Sequence, residues 1–463
     1  MVSVSRRKFF GMMGAGAAGA FALSPMQAFL ARKAMGQNPV VEGFGSLSPK
    51  APSVVDTRST PVFDIKGVPL LEIPAGFAYA AFHVTGMNMS DRNLCPSNHD
   101  GMAWFAGPRG SHILVQNHEV GPGATYNTGL QKAYDRFDGD GGAGAGAGGT
   151  TNIIVDANGR VLRDYVSLSG TIRNCAGGPT PWGSWITCEE NTTVPADNPA
   201  VTKKHGFNFE VPARGGQRPA VPLEAMGRFN HEAVAVDPAT GYVYETEDRG
   251  DSCLYRYIPN KPGNLDHGGE LQVLKLVNGP QDTRTGVLSL LNQPLSVEWV
   301  SLTDNGVNIN PDEDILRFDA QALGGAIFAR GEGAWAGNGK IYWVCTSGGD
   351  QGNGQVWCYD DQTETVTLFV ESTDQTALDN PDNITVNPAD GSLYLMEDGG
   401  GEQFVVGVTP SGGLFKLCRN NINTSEFAGG CFSADGKKFF VNIQSPGITI
   451  MLYRTNGQPI IAA

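Results

Sequence analysis

The sequence predicts an all-β protein of the β-propeller type. One strand-turn-strand unit recurs irregularly over most of the chain, as blades of small antiparallel sheets require. Among the 463 residues, 62 glycines and 28 prolines suit many tight turns and disfavour long helices. Hydrophobic residues make up 40%, and a mean hydropathy of −0.20 fits a soluble globule. The length would hold two or three average domains, but a propeller builds one large body from many sheets, so a single domain over 36–463 is expected.

The unit is clearest at 236–248 and 386–398. Each reads as a strand, a Pro/Gly turn and a second strand, ending in Glu247-Asp248 and Glu397-Asp398. A related stretch, 182–190, is apolar and β-prone at Trp182, Trp185 and Ile186, then delivers Cys188, Glu189 and Glu190. A soft sulfur beside hard carboxylate oxygens suits iron or zinc on one side and calcium or magnesium on the other. Copies without the acidic ending stand at 155–160 and 432–437, and 339–344 supplies another hairpin-like strand.

The formal charge of −14 argues against nucleic acid, whose phosphates call for concentrated Lys and Arg. At the N-terminus, Ser5-Arg6-Arg7-Lys8-Phe9-Phe10 precedes a small apolar run to Leu23, the pattern of a twin-arginine export signal over residues 1–35. That run is too short and weak for a membrane span, so the expectation is cleavage, no stable membrane insertion, and a periplasmic or secreted protein delivered by the twin-arginine machinery. This route carries folded proteins, often with a cofactor already in place. Eight cysteines, without a Cys-x-x-Cys pair, leave disulfides and core thiols both open. Cys188 alone is followed directly by two carboxylates.

Other polar groups stand at expected strand ends. Glu232 opens the strand that begins at Asn230-His231, and a hairpin would bring it near the later acidic pair. Arg330 and Glu332 share one face of an extended segment, where a guanidinium could clamp phosphate while the carboxylate holds a metal; a plain ion pair is the other reading. Asp379, Asn380, Asp382 and Asn383 lead into the last acidic hairpin as ligands or turn formers. Asn117-His118-Glu119 ends an apolar run and could either ligate metal or merely close a strand. There is no Gly-x-Ser-x-Gly elbow, no Walker loop and no His-Glu-x-x-His helix, and the Gly/Ala run at 139–149 reads as a flexible loop. With seven histidines, an all-imidazole zinc site is disfavoured.

Taken in order over about residues 65–450, the segments at 180–190, 228–232, 244–250, 330–333 and 381–383 with Glu397-Asp398, after a twin-arginine signal, resemble the PhoX family of alkaline phosphatases. The resemblance implies a six-bladed propeller with loop insertions, whose channel holds ferric iron (Fe3+) and calcium (Ca2+) and whose substrates are phosphomonoesters. It implies Cys188 as an iron ligand, Glu232 and Glu332 serving the iron-calcium cluster, and Arg330 gripping the phosphate, so that Arg330 and Glu332 are the catalytic pair. Glu189, Glu247, Asp382 and Glu397 are the further ligand candidates. This chain is shorter than the better known members. Two other classes fit the same residues: a calcium-dependent propeller hydrolase of lactones or phosphotriesters, with Cys188 a structural thiol, and a noncatalytic propeller stiffened by calcium.

Overall fold

Six radial β-sheets surround a central channel in the computed structural model, which describes residues 38–58, 63–121, 132–135, 147–199 and 201–462. The export signal and most of the Gly/Ala run lie outside the described residues. Blade 1 consists of His99–Ala106, His112–His118, Gly148–Val155 and Val161–Thr171. Blade 2 has three strands, Asn174–Pro179, Ser184–Glu189 and Asn208–Pro212. Blade 3 is His231–Val236, Val243–Glu247, Tyr255–Pro259 and Gly269–Leu276; blade 4 is Gly331–Gly337, Lys340–Cys345, Gln355–Asp360 and Thr365–Glu371. Blade 5 is Pro381–Val386, Leu393–Glu397, Phe404–Val408 and Leu414–Asn420, extended outward by Leu71–Pro74 and Leu47–Lys50.

Blade 6 draws on both ends of the described chain. Phe427–Phe432, Lys438–Ile443 and Ile448–Arg454 are completed by Phe77–Val84, which lies antiparallel to Ile448–Arg454 with Ala80 opposite Met451. Every residue of Phe77–Val84 is buried, as an apolar run between packed sheets should be. The first strands of the six blades neighbour one another in a closed ring, so the inner edge of each sheet is packed between its two neighbours around the channel. Pro294–Ser301 pairs with the outermost strands of both blade 3 and blade 4 and fuses them into one nine-stranded sheet. The segment after it carries the short helix α1, Leu316–Ala322. These are the insertions the sequence leads one to expect. Among the described residues no helix is long and apolar enough to cross a membrane.

The ring closes tightly because small residues line its inside. A Cβ on Gly178 of blade 2 would fall 1.9 Å from the Val234 carbonyl oxygen of blade 3, and one on Gly429 of blade 6 would fall 2.3 Å from the Asp100 oxygen of blade 1. Neither backbone oxygen can withdraw without opening the ring. Trp335 of blade 4 fills the axis, packing against apolar clusters from three directions. Beside it a cavity of only about 10 Å³ is lined by Gly101, Ala176, Ala233, Gly333 and Gly430.

Each blade also closes its first hairpin with the same hydrogen bond. The N–H of the residue after the second strand donates to the carbonyl of the residue before the first strand, six times, at 2.9–3.3 Å: Glu119 to Asn98, Glu190 to Arg173, Asp248 to Asn230, Thr346 to Arg330, Asp398 to Asn380 and Gln444 to Glu426. This repeat establishes the blade count and aligns equivalent positions around the axis. All eight cysteines are buried free thiols, so the open choice between disulfides and core thiols resolves to thiols.

The inward glycines make a direct test of ring closure. Gly178→Ala should cost about 3 kcal/mol through forced overpacking. Gly401→Ala, in an exposed turn with no atom within 4 Å of the added carbon, should be nearly neutral. Chemical unfolding of both variants measures the difference, and equal stabilities would contradict the packing described.

Candidate metal centre at the channel mouth

Three rings of side chains follow from the repeated hairpin. The second residue of each first strand faces the channel: Asp100, Cys175, Glu232, Glu332, Asp382 and Ala428 in blade order. Just past each second strand come Glu119, Glu190, Asp248, Thr346, Asp398 and Gln444. Before each first strand stand Asn98, Arg173, Asn230, Arg330, Asn380 and Glu426. Bulges or register shifts in the first hairpins of all six blades, next to these residues, break the strand pairing there and free the side chains to point inward. Four residues of the third ring have left-handed backbones, with φ of 48° at Asn98, 49° at Arg173, 51° at Arg330 and 44° at Asn380. Such conformations in non-glycine residues concentrate at functional sites.

The result is nine carboxyl groups, Asp100, Glu119, Glu190, Glu232, Asp248, Glu332, Asp382, Asp398 and Glu426, around one mouth. Two guanidinium groups oppose them. Arg330 reaches Asp248 Oδ1 through Nε at 2.8 Å and Glu332 Oε1 through Nη2 at 2.7 Å. Arg173 reaches Glu119 Oε1 at 2.5 Å and Glu190 Oε2 at 2.6 Å through Nη2. Both side chains keep more than 40% of their surface exposed, whereas Glu332 and Glu232 are buried. Asn230 donates to Glu190 at 3.1 Å, Gln444 to Glu119 at 3.0 Å and Asn383 to Asp382 at 2.7 Å, which fixes the orientation of those acids.

Within the mouth, three groups bring ligating atoms within 4.8 Å of one another: Cys175, Glu190 and Glu232; Glu232, Glu332 and Asp382; and Asp100, Glu119 and Glu426. Glu232 belongs to two of them. Burial, followed by the neighbouring carboxylates, pushes Glu232, Glu332, Asp100 and Glu426 well above the usual carboxylate range. Burial also raises Glu190 to about 8, against the pull of Arg173, and burial with the Asp398 charge raises Asp382 to about 7. So many acids, short of opposite charge, fit cations. The donor set divides by chemistry: thiol and carboxylate around Cys175 suit iron, and the two all-oxygen groups suit calcium.

The structure brings Glu232, Glu332, Asp382 and Arg330 of the sequence-based site together, and it moves the other ligand candidates. Cys188 lies one strand further out, in an apolar cluster with Ile186, Met226 and Phe229 that also includes Cys175, and only Cys175 comes within ligating reach of Glu190 and Glu232. The thiol at the mouth is Cys175, on the innermost strand of the same blade. Glu189, Glu247 and Glu397 are likewise corrected: each is the last residue of a second strand and turns into its blade instead of the channel. Glu189 accepts the N–H groups of Ile172 and Gly206, both at 2.9 Å, and lies 2.6 Å from His205 Nδ1. Glu397 accepts from the N–H groups of Asp379 and Phe404 at 2.8 and 3.0 Å, and Glu247 from the Tyr255 hydroxyl at 3.1 Å. Successive strand residues point to opposite sides, so in each acidic pair the second member, Glu190, Asp248 or Asp398, is the one at the mouth.

Sequence reasoning assigned no role to Asp100, Cys175, Arg173 or Glu426, and it left Glu119 undecided. A usable signal existed for part of this set: a polar residue followed closely by glycine, as in Asp100-Gly101, Cys175-Ala176-Gly177 and Glu332-Gly333, marks a strand that presses on its neighbour.

Comparison with known proteins gives the same fold class. The structure of Pseudomonas fluorescens PhoX in complex with vanadate, a transition state analogue, superposes with a TM-score of 0.67 at 17% identity, covering 84% of this chain and 97% of that one. A gluconolactonase of Xanthomonas campestris gives a TM-score of 0.39 at 14% identity, covering 81% of this chain and 95% of that one. A putative 6-phosphogluconolactonase of Bacteroides uniformis gives 0.37 at 13%, covering 76% and 78%. No curated protein matches the sequence. The family described as Alkaline phosphatase PhoX matches residues 57–447, nearly the whole propeller. The chain therefore belongs to the PhoX family of alkaline phosphatases, metal-dependent phosphatases built on a β-propeller.

Proposed function

We propose that this chain hydrolyses phosphomonoesters at the channel mouth, using iron and calcium held by the three rings. The observation that carries the reading is the charge imbalance. Nine carboxyl groups against two guanidinium groups would repel a phosphate dianion, so the mouth becomes a phosphate site only when cations invert its field. Cys175, Glu190 and Glu232 are the residues to hold iron. Asp100, Glu119 and Glu426 are those to hold calcium, with Glu332 and Asp382 joining through Glu232. When bound, such cations neutralise charge on the phosphate oxygens and on the oxygen that attacks phosphorus.

The chain's own residues do the rest. Arg330, exposed at its tip and held on two sides by Asp248 and Glu332, presents the remaining N–H donors of its fork to a phosphoryl group and meets the charge that develops there. Arg173 stands across the mouth in the same kind of brace between Glu119 and Glu190. Because both braces are rigid and partly buried, the guanidinium groups are oriented before substrate arrives. We further propose that the twin-arginine segment exports the chain folded, to the periplasm or the medium, with its cations already in place.

Several outcomes follow. Elemental analysis of natively exported protein should find iron and calcium, and chelation should abolish phosphomonoester turnover. Calcium alone, or turnover that survives chelation, would contradict the reading. Cys175→Ser should remove the visible sulfur-to-iron absorption and most activity, whereas Cys188→Ser should keep both. Arg330→Ala should lower kcat by roughly 10²–10³-fold, the cost of removing one preorganised donor to a developing anion. A drop confined to KM would instead make Arg330 a uniform binder.

The raised acids also predict a pH dependence for the cation-free chain. A carboxyl group held near 7 or 8 when folded, against ordinary values of 3.8 and 4.5, keeps its proton longer in the folded state. Its contribution to stability is present below the ordinary value and is lost as pH rises through the folded one. Thermal unfolding of chelated protein should therefore show Tm falling from about pH 5 to about pH 8, and added calcium should restore it at the upper end. A flat profile, or one that calcium leaves unchanged, would count against cation binding by these groups.

A further inference from the structure

Behind the mouth, on the seam between blade 6 and blade 1, lies a second cluster that the phosphatase reading does not use. His83, Cys95 and His99 are completely buried, and one ligating atom of each lies within 4.8 Å of the other two. His118 borders them, its ring centroid 5.1 Å from that of His99 and 6.3 Å from that of His83. Four of the chain's polar metal-binding side chains are thus gathered where apolar residues would cost less to bury.

We propose that His83, Cys95 and His99 hold one zinc-class divalent cation, with His118 on its fourth side. Geometry supports the choice of ion. Zinc bonds of about 2.3 Å to sulfur and about 2.05 Å to nitrogen, at a tetrahedral angle, set the two ligating atoms about 3.5 Å apart. Cys95 Sγ and His99 Nε2 stand 3.4 Å apart. One thiolate with imidazoles is a borderline-soft set that favours zinc over calcium or magnesium.

The surroundings are those of ligands held in place. His83 is the extra residue of a bulge: Phe82 pairs with Thr449 and Val84 with Ile448, leaving His83 opposite neither, with its backbone left-handed at φ 50°. That bulge turns the ring inward from the fourth strand of blade 6. His83 Nδ1 lies 3.2 Å from Asp164 Oδ2, and Asp164 is itself held by Arg58 at 2.8 Å and by the Ser90 N–H and hydroxyl, both at 2.8 Å. A carboxylate on the far nitrogen of a ligating histidine fixes the tautomer and leaves the near nitrogen for metal. His118 Nδ1 lies 3.0 Å from the Ser97 carbonyl, and the other nitrogens of His118 and His83, at 2.9 and 3.3 Å, share the Thr151 hydroxyl, which a bound cation would displace. Cys95 is fixed by its own N–H, which donates to Met87 at 2.7 Å. His99 Nε2 also lies 3.1 Å from the Pro96 carbonyl. Ion binding requires its proton to sit on Nδ1, where Thr449 Oγ1, 3.4 Å away, can accept it.

On binding, the metal-sulfur bond forms and the thiol proton leaves to water, with no change of oxidation state. The cation would join the N-terminal strand of blade 6, the loop after it and the first strand of blade 1. It would act as a staple across the seam where the ring is closed by strand pairing alone. The proposal is independent of the channel chemistry, because His99 and His118 occupy strand positions next to Asp100 and Glu119 but face away from them.

Cobalt is the probe. The full chain carrying Cys175→Ser, which removes the thiol of the mouth, is expressed in cobalt-supplemented minimal medium. The expected result is near-ultraviolet thiolate-to-cobalt absorption with intense tetrahedral visible bands, lost in the Cys95→Ser derivative and weakened in His83→Gln. Absence of these bands in the Cys175→Ser chain, or their persistence after Cys95→Ser, would overturn the site. Should either cysteine variant fail to fold by circular dichroism, anomalous diffraction at the zinc edge from wild-type crystals grown with zinc decides. A peak bounded by His83, Cys95 and His99 supports the staple, and its absence refutes it.

Discussion

Crowding of like charge at one end of the channel is the constraint on which the rest of this molecule depends. Carboxyl groups from all six blades meet within a few ångströms, and burial removes the water that would otherwise screen them. Two bracing arginines offset only part of that repulsion, since each is shared between two acids. The arrangement is tolerable because the scaffold is stiff. Glycine-lined inner strands lock against one another, a tryptophan fills the axis, and six equivalent hydrogen bonds tie each hairpin at the height where its acid emerges.

Division of labour within each acidic pair follows from the same stiffness. Glu189, Glu247 and Glu397 turn into their blades and accept hydrogen bonds from flanking loops, while Glu190, Asp248 and Asp398 turn to the mouth. An analogous split places Asp100 and Glu119 at the mouth and His99 and His118 behind it. Two clusters of different donor chemistry, mainly carboxyl groups at the mouth and imidazoles with a thiol behind it, thus arise in part from adjacent residues of the same strands. Ring closure by Phe77–Val84 adds a further dependence, because the seam it completes runs beside both sites.

Much of the fold was legible before any coordinates. The acidic hairpins at 236–248 and 386–398 are the first hairpins of blades 3 and 5, and the turn-rich composition excluded a helical protein. The resemblance added the blade number and named Glu232, Glu332, Asp382 and Arg330, which ring closure brings close together. Blade 2 misled because the eye follows Cys188-Glu189-Glu190 as one run, whereas a strand sends alternate residues to opposite sides. Cys175 was hidden because nothing in its own segment resembles a metal motif; its partners, Glu190 and Glu232, come from two other strands. Asp100 and Glu426 were missed for the same reason, since they lie more than 300 residues apart in the chain and are joined only by ring closure.

By itself, then, the sequence determined the strand units, their turns, the absence of a packed helical layer and which residue types would end each hairpin, because all of these rest on local periodicity and turn chemistry. Only the tertiary structure decided which member of each acidic pair faces the channel, which thiol joins it and that three histidines gather with Cys95 at the seam. Those choices depend on bulges, strand register and the closing of a ring, which bring together side chains that no local pattern links.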